Sequence, residues 1–282
     1  SFLMDVLADQ GLYIHKDKRF KELKEYFMSF PKKYHSKINN EQFYKCFEFP
    51  WGDLLKRCFQ GKLIVPDFDE FKKLHNMYKI VETNDEGHNA DYIPQLADVD
   101  PNLFAIAACT VDGQQFEIGD SEFDVCVQSC EKPIAYGIAL EEHGVEYVHK
   151  HVGREPSGAP FNKNFLNPSN LPHNPWINSG AIMTASLIQQ KLPLYKRFEY
   201  VKKFWEELSG GGHIGFQNAT YLSEKDTASR NFCLGHMLMN VKAFPKGVNL
   251  EEVLEFYFQL CSLEIKPRDM AVIAATLANG GV

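Results

Sequence analysis

The stretch LFAIAACTVDGQQFEIGD, residues 103–120, sets two apolar runs on either side of Asp112-Gly113. An Asp-Gly pair favours the positive φ of a tight turn, so the stretch predicts a two-stranded antiparallel hairpin. Elsewhere the apolar residues recur at helical spacing. The chain is therefore expected to be a mixed α and β protein in which a hairpin leads into a helix-rich section.

Before the hairpin, Phe20, Leu23, Phe27 and Phe30 repeat at helical spacing until Pro31 ends the run. Phe43, Cys46 and Phe47 mark a second helix, and Leu54, Leu55, Cys58 and Phe59 a third. Asp67 is placed to cap a fourth, with Phe68, Phe71, Leu74, Tyr78 and Val81 on its inner face. Helix pairs with short acidic loops invite comparison with a calcium-binding EF-hand. With Gly87 at the sixth loop position, the twelfth, which should carry a bidentate glutamate, is Ile93. Residues 1–83 are expected to form an EF-hand-like helical packing or oligomerisation module without calcium ligands. The polar segment TNDEGHNADY (83–92) joins it to a second domain over 84–282.

After the hairpin, helices are expected at about 130–143, 180–192, 196–208, 231–239, 249–261 and 267–277. The segment 153–175 carries five prolines and is long for a connection, which suits a lid or binding loop. The chain starts with serine, and its last helix closes on Gly280-Gly281, a turn that usually leads into another element. The natural protein is expected to continue.

A formal net charge of −7 opposes a nucleic-acid backbone or an anionic membrane as the main partner. No apolar run approaches the roughly 18 residues of a membrane span. The seven cysteines are odd in number and contain no C-x-x-C pair. Neither a disulfide framework nor a zinc cluster is expected.

The chemistry concentrates in CVQSCEKP (126–133). Proline lacks an N–H and belongs in a helix's first turn, so Pro133 puts a helix start near Ser129. Ser129 then sits at the positive end of the helix dipole, and Lys132 reaches it from the same face. Glu131 is expected to point elsewhere around the helix. Serine needs a base to act as a nucleophile, and lysine serves only when burial or a neighbouring cation lowers its pKa. S-x-x-K at a helix start is the arrangement of acyl-serine hydrolases of the β-lactamase type. The hairpin upstream matches the strand–strand–helix order leading into that serine. Taken alone, however, these residues more often describe an ordinary helix start, with a serine cap and a surface lysine.

More residues must be weighed together. ADYIPQLA (90–97), CTVDGQ (109–114), QSCEKP (128–133), HNPWINSGAI (173–182), SEKDTASRNF (223–232) and FYFQLCSLE (256–264) occur in one order. This set resembles the serine-dependent glutaminases. The helical N-terminal extension, GKLIVPDF (61–68) and YVHKHVGREPSG (147–158) are similar to the animal, kidney- or liver-type, phosphate-activated branch.

The resemblance implies an α+β fold, an α/β/α sandwich with a helical subdomain, like serine β-lactamases and penicillin-binding proteins. It implies hydrolysis of L-glutamine to L-glutamate and ammonia with no cofactor, inorganic phosphate as activator, and a homodimer or homotetramer. Location would be mitochondrial, or alternatively cytoplasmic. By the same resemblance Ser129 attacks the side-chain amide, Lys132 moves the proton, and Tyr92 lines the pocket beside them. Gln128, Asn178, Glu224, Asn231 and Tyr257 hold the amino-acid end of the substrate. Phe161, Lys163 and Phe165 lie in a gating loop where allosteric inhibitors bind relatives. A carboxylate suits the substrate ammonium, and amide and hydroxyl donors suit its carboxylate. The family's second tyrosine, its remaining oxyanion donor and a K-S-G segment would follow Val282. Pro160 and Asn164 replace residues more usual in animal forms, and Glu131, Ala228 and Ser229 residues more usual in vertebrate ones.

Two other readings stay open. S-x-x-K and TLANGG (276–281) also suit a β-lactam- or peptidoglycan-directed acyl-serine hydrolase, although Glu224 and Tyr257 in their motifs argue against it. The aromatic-rich N-terminal helices suit a non-catalytic helical assembly module.

Overall fold

The computed structural model describes residues 2–30, 38–158 and 166–281. Six helices come first: α1 (Phe2–Asp9), α2 (Lys21–Met28), α3 (Asn40–Lys45), α4 (Gly52–Phe59), α5 (Phe68–Phe71) and α6 (Leu74–Val81). Leu7, Phe20, Leu23 and Leu55 are among the residues that form their shared apolar core. Asn39 caps α3 in a reciprocal capping box with Gln42, which is why the chain turns into a helix there. Asp67 caps α5 as expected, accepting from the Glu70 N–H. The fourth expected helix is split into α5 and α6; Phe68 is buried in the first piece and Tyr78 in the second, where it stacks on Phe104 with ring centroids 5.1 Å apart. Val81, expected on the inner face, is exposed.

The hairpin forms as expected. Strand β1 (Ala105–Cys109) pairs antiparallel with β2 (Gln115–Gly119), from Ala105 opposite Gly119 to Cys109 opposite Gln115. Gly113 takes φ +90° at the turn, where a side chain would be strained. The turn also has a second task. The Asp112 carboxyl accepts from the Ile64 N–H (2.8 Å) and from Arg57 (3.1 Å). The Gln114 amide accepts from the Val65 N–H and donates to the carbonyls of Gln10 and Val65. The CTVDGQ motif thereby ties down backbone groups of the connections after α1 and between α4 and α5.

A short α7 (Pro94–Ala97) precedes the hairpin, and after it come β3 (Val125–Cys126), α8 (Glu131–His143), α9 (Val145–Val148), α10 (Asn178–Leu187), α11 (Leu194–Leu208), β4 (Gly215–Phe216), α12 (Asn218–Asp226), α13 (Ser229–Asn240), α14 (Leu250–Cys261), β5 (Leu263–Ile265) and α15 (Pro267–Ala278). The three short strands form an antiparallel sheet in the order β3-β5-β4. It is β3, paired with β5, that leads directly into Ser129. The hairpin forms its own sheet, so the expected strand–strand–helix order is only partly met. A second apolar core, including Ile138, Ile182, Trp205, Leu238 and Phe256, fills the space among α8, α10, α11, α13 and α14.

Helix α10 runs through this core with nine buried residues. It starts earlier and ends sooner than the expected 180–192. Arg197 Nε and Nη2 donate to the carbonyls of Ile188 and Ala185 (2.9 and 2.7 Å), capping its end, and the guanidinium lies 4.3 Å from the Phe256 ring centre. Gln189 then turns at φ +45°, with its N–H and side-chain amide both held by Glu142. Helix α12, absent from the expectation, is started by the Gln217 side chain accepting from the Ala219 N–H.

Close packing at the start of α10 depends on Gly180. A Cβ there would stand 1.8 Å from the Asn174 carbonyl oxygen. Gly180→Ala is expected to destabilise the protein by about 1–3 kcal/mol. Thermal denaturation should show a fall in Tm of roughly 2–4 °C per kcal/mol. Gly137→Ala is the control: it lies in α8 with nothing within 4 Å of the added Cβ. Equal melting of the two variants would show that this contact does not limit stability.

Candidate active site

Six segments bring the expected residues together: the stretch around Tyr92, the turn into α8, and helices α10, α12, α13 and α14. β3 is held by β5, and the Val127 N–H extends the pairing by donating to the Leu263 carbonyl (2.8 Å). A single 3-10 turn, Gln128–Cys130, then feeds α8, with Pro133 in its first turn. Gln128 takes φ +45°, an uncommon conformation for a non-glycine residue and one that recurs at functional sites. Its side chain is fastened at both ends: Oε1 accepts from the Tyr92 hydroxyl (3.1 Å), and Nε2 donates to Cys126 Sγ (3.6 Å).

Ser129 is exposed, whereas Lys132 is only 5% exposed. Lys132 Nζ lies 3.2 Å from Ser129 Oγ and 2.8 Å from Asn178 Oδ1. Asn178 opens α10 and donates onward from Nδ2 to Asn231 Oδ1 (3.3 Å) on α13. No carboxylate pairs with Lys132 within 4.0 Å among the described residues. Burial pushes the Lys132 pKa down, against smaller opposing effects of Cys261 and Glu131. A lysine so placed has access to its neutral amine, whose lone pair can accept the serine proton while an N–H stays on Asn178.

Beside this chain lies a second one. The Tyr92 hydroxyl directs its one proton chiefly to Glu224 Oε1 at 2.6 Å and shares it with Gln128 Oε1 at 3.1 Å. Glu224 is buried on α12. Tyr92 is 54% exposed, yet its hydroxyl pKa is raised, first by desolvation and then by Glu224. The Tyr92 hydroxyl is thus a hydrogen-bond donor, directed to Glu224 and Gln128 rather than to Ser129. Tyr257, on α14, is buried. Burial keeps its hydroxyl protonated.

Hydrogen bonds therefore join Ser129, Lys132, Asn178 and Asn231 in one chain, and Tyr92, Gln128 and Glu224 in another. Tyr257 lies near enough for the charge of Glu224 to act on its hydroxyl. Phe161, Lys163 and Phe165 lie outside the described residues, as do Pro160 and Asn164. A cavity of about 810 Å³ between residues 15–19 and α15 contains none of these groups.

Glu131, expected to point elsewhere around the helix than Lys132, is directed into the interior: it is 1% exposed, and neither carboxyl oxygen has a hydrogen-bond partner among the described residues. Its burial is legible in the sequence. Glu131 precedes Ala135 and Ile138 at i+4 and i+7, which puts it on the apolar stripe of α8.

The glutaminase family model matches residues 87–282. The mitochondrial liver isoform of glutaminase from Mus musculus is 42% identical over 246 residues, covering 87% of this chain and 41% of its own. Putative glutaminase 2 from Caenorhabditis elegans is 44% identical over 253 residues, covering 88% and 41%. The solved structure of the probable glutaminase ybaS superposes with a TM-score of 0.70 at 30% identity, covering 75% of this chain and 68% of that one. The chain spans about two fifths of the length of the two animal relatives.

Proposed function

The chain belongs to the glutaminase family, and from that premise we propose that it hydrolyses L-glutamine to L-glutamate and ammonia through Ser129 and Lys132. The observation that carries the mechanism is the buried, ion-pair-free Lys132 with its nitrogen 3.2 Å from an exposed serine hydroxyl. Ser129 Oγ attacks the side-chain amide carbon as its proton passes to the Lys132 amine. The carbon–nitrogen bond then breaks, and the proton leaves with the nitrogen as ammonia. A water molecule, deprotonated by the same amine, cleaves the resulting glutamyl ester, and the proton returns to Ser129. The Ser129 N–H, at the start of the helix, supplies part of the oxyanion hole.

In this reading Glu224 pairs with the substrate ammonium, and Asn178, Asn231 and Tyr257 donate to its carboxylate. Gln128 and Tyr92 brace the wall next to the nucleophile. The fold is of the β-lactamase and penicillin-binding type, a reading supported by S-x-x-K behind a short strand. Residues 1–83 form a helical assembly module and 84–282 the catalytic domain. The separate apolar cores and the family match from residue 87 support that division. No metal or organic cofactor enters the scheme. Phosphate promotes assembly into a dimer or tetramer, to be checked by sedimentation with and without phosphate; an unchanged monomer would count against it. The name of the mouse relative supports a mitochondrial location.

The test is ammonia release from L-glutamine by the full natural polypeptide. Ser129→Ala is expected to abolish it, and full turnover in that variant would remove the nucleophile assignment. Turnover of nitrocefin without glutamine hydrolysis would favour the β-lactam-directed reading instead.

A further inference from the structure

Glu131 is the one buried carboxyl beside the reaction centre that the mechanism above leaves without a task. It precedes Lys132 in the first turn of α8. Its side chain is enclosed, and both oxygens lack hydrogen-bond partners among the described residues. A carboxylate in that state would be an uncompensated buried charge. The groups that face it are few. Tyr257 and Cys261 on α14 feel its charge and are both held in their protonated forms by burial, and both also feel the charge of Glu224 on α12. Helix α10, packed on the same side, contributes Asn178 to Lys132 and carries no charged residue. Lys132 is thus the cation whose charge Glu131 senses.

We propose that Glu131 is a positioning residue for the proton of Lys132: it competes with the lysine for which group gives up a proton first, and so sets the pH at which the base becomes available. The proposal rests on the reading of Lys132 as the catalytic base.

The two groups hold two protons at low pH, as a carboxylic acid beside an ammonium. Removing one proton leaves either the acid beside a free amine, which can act as a base, or a carboxylate beside an ammonium, which cannot. Desolvation raises the Glu131 pKa to about 8, with Lys132 opposing. Desolvation lowers that of Lys132. The two shifts run towards each other, and two buried groups on neighbouring residues lose their protons as a pair, in two steps. A neutral side chain at 131 leaves only one way to lose the first proton, and that way yields the working amine.

The experiment compares Glu131→Gln with the wild type in the full natural polypeptide. The acid limb of kcat/KM is expected to move about one unit to lower pH and to sharpen into a single-proton step, with the alkaline plateau retained. Lys132 is also titrated without turnover, by competitive acetylation from about pH 6 to about pH 10 with peptide mass analysis. Its half-labelling point should shift in the same direction. An unmoved labelling midpoint overturns the proposal, as does a uniform loss of rate at every pH with an unchanged limb. If glutamine is not hydrolysed at all but the labelling midpoint moves, the substrate reading falls and the Glu131 assignment stands. If glutamine is hydrolysed with both midpoints fixed, only the Glu131 assignment falls. Should Glu131→Gln not fold, isotope-edited infrared spectra of the wild type decide. A protonated carboxyl band that persists at neutral pH and fades around pH 8 supports the proposal. A spectrum with all glutamates ionised at neutral pH overturns it.

Discussion

Lys132→Met is expected to lower kcat for glutamine by about 10²–10⁴-fold while leaving KM within a few-fold, the range set by removing a positioned general base. Lys132 touches Ser129 and the Oδ1 of Asn178, whose Nδ2 remains to face the substrate, and it touches neither Glu224 nor Tyr257. Its loss should therefore appear in the chemical step. Lys132→Arg sharpens the test. It keeps a long cation that can still reach Ser129 and Asn178, but a guanidinium stays protonated and cannot accept the serine proton. Both variants should be equally inactive. An active arginine variant would mean that Lys132 supplies only positive charge, and the nucleophile would need another base. The wild type should gain activity with rising pH, because a depressed lysine pKa raises the fraction of free amine as protons are removed.

The second large effect is expected at Glu224. Glu224→Gln should reduce kcat/KM for glutamine by roughly 30- to 3,000-fold, the equivalent of about 2–5 kcal/mol for breaking a buried, hydrogen-bonded charge pair. Burial is the reason for the size. Glu224 is 8% exposed, so a substrate ammonium placed against it exchanges water for that one carboxyl. The amide keeps the shape and can still accept from Tyr92, which bonds Oε1 at 2.6 Å. The pocket wall should therefore survive and the loss should report charge. Tyr92→Phe separates the two roles, because it frees Glu224 Oε1 and removes the link to Gln128. It should cost less than Glu224→Gln. Steady-state kinetics on purified variants with matching Tm values would check both. A Glu224→Gln enzyme with unchanged kcat/KM would move the ammonium site elsewhere.

Much of the fold was legible because its signals are local. Asp112-Gly113 predicted the hairpin turn, and Gly113 takes the positive φ that only a residue without Cβ adopts easily. Pro133 predicted the start of α8 within a few residues. What could not be read had weak local signals. Strands β3, β4 and β5 are two or three residues long, too short for alternation to show. The early end of α10 depends on Arg197, which reaches back from α11 to its last carbonyls. The CTVDGQ motif carried no visible role until the connections between the N-terminal helices were seen resting their backbone groups on Asp112 and Gln114.

The site shows the same division. Sequence alone determined that Ser129 and Lys132 share the start of a helix, because proline cannot stand deeper in one and three residues make nearly one turn. It also supplied, by resemblance, the other residues of the set. Tertiary structure decided which of them meet: Tyr92 reaches Glu224 across 132 residues of chain, and Lys132 finds Asn178 across 46. It alone decided that Lys132 and Glu131 are both shut away from water, side by side. Residue type and spacing specify what a group can do. Its protonation and reach depend on how much solvent and which charges remain around it, and only the packing of α8 against α10 and α14 settles that.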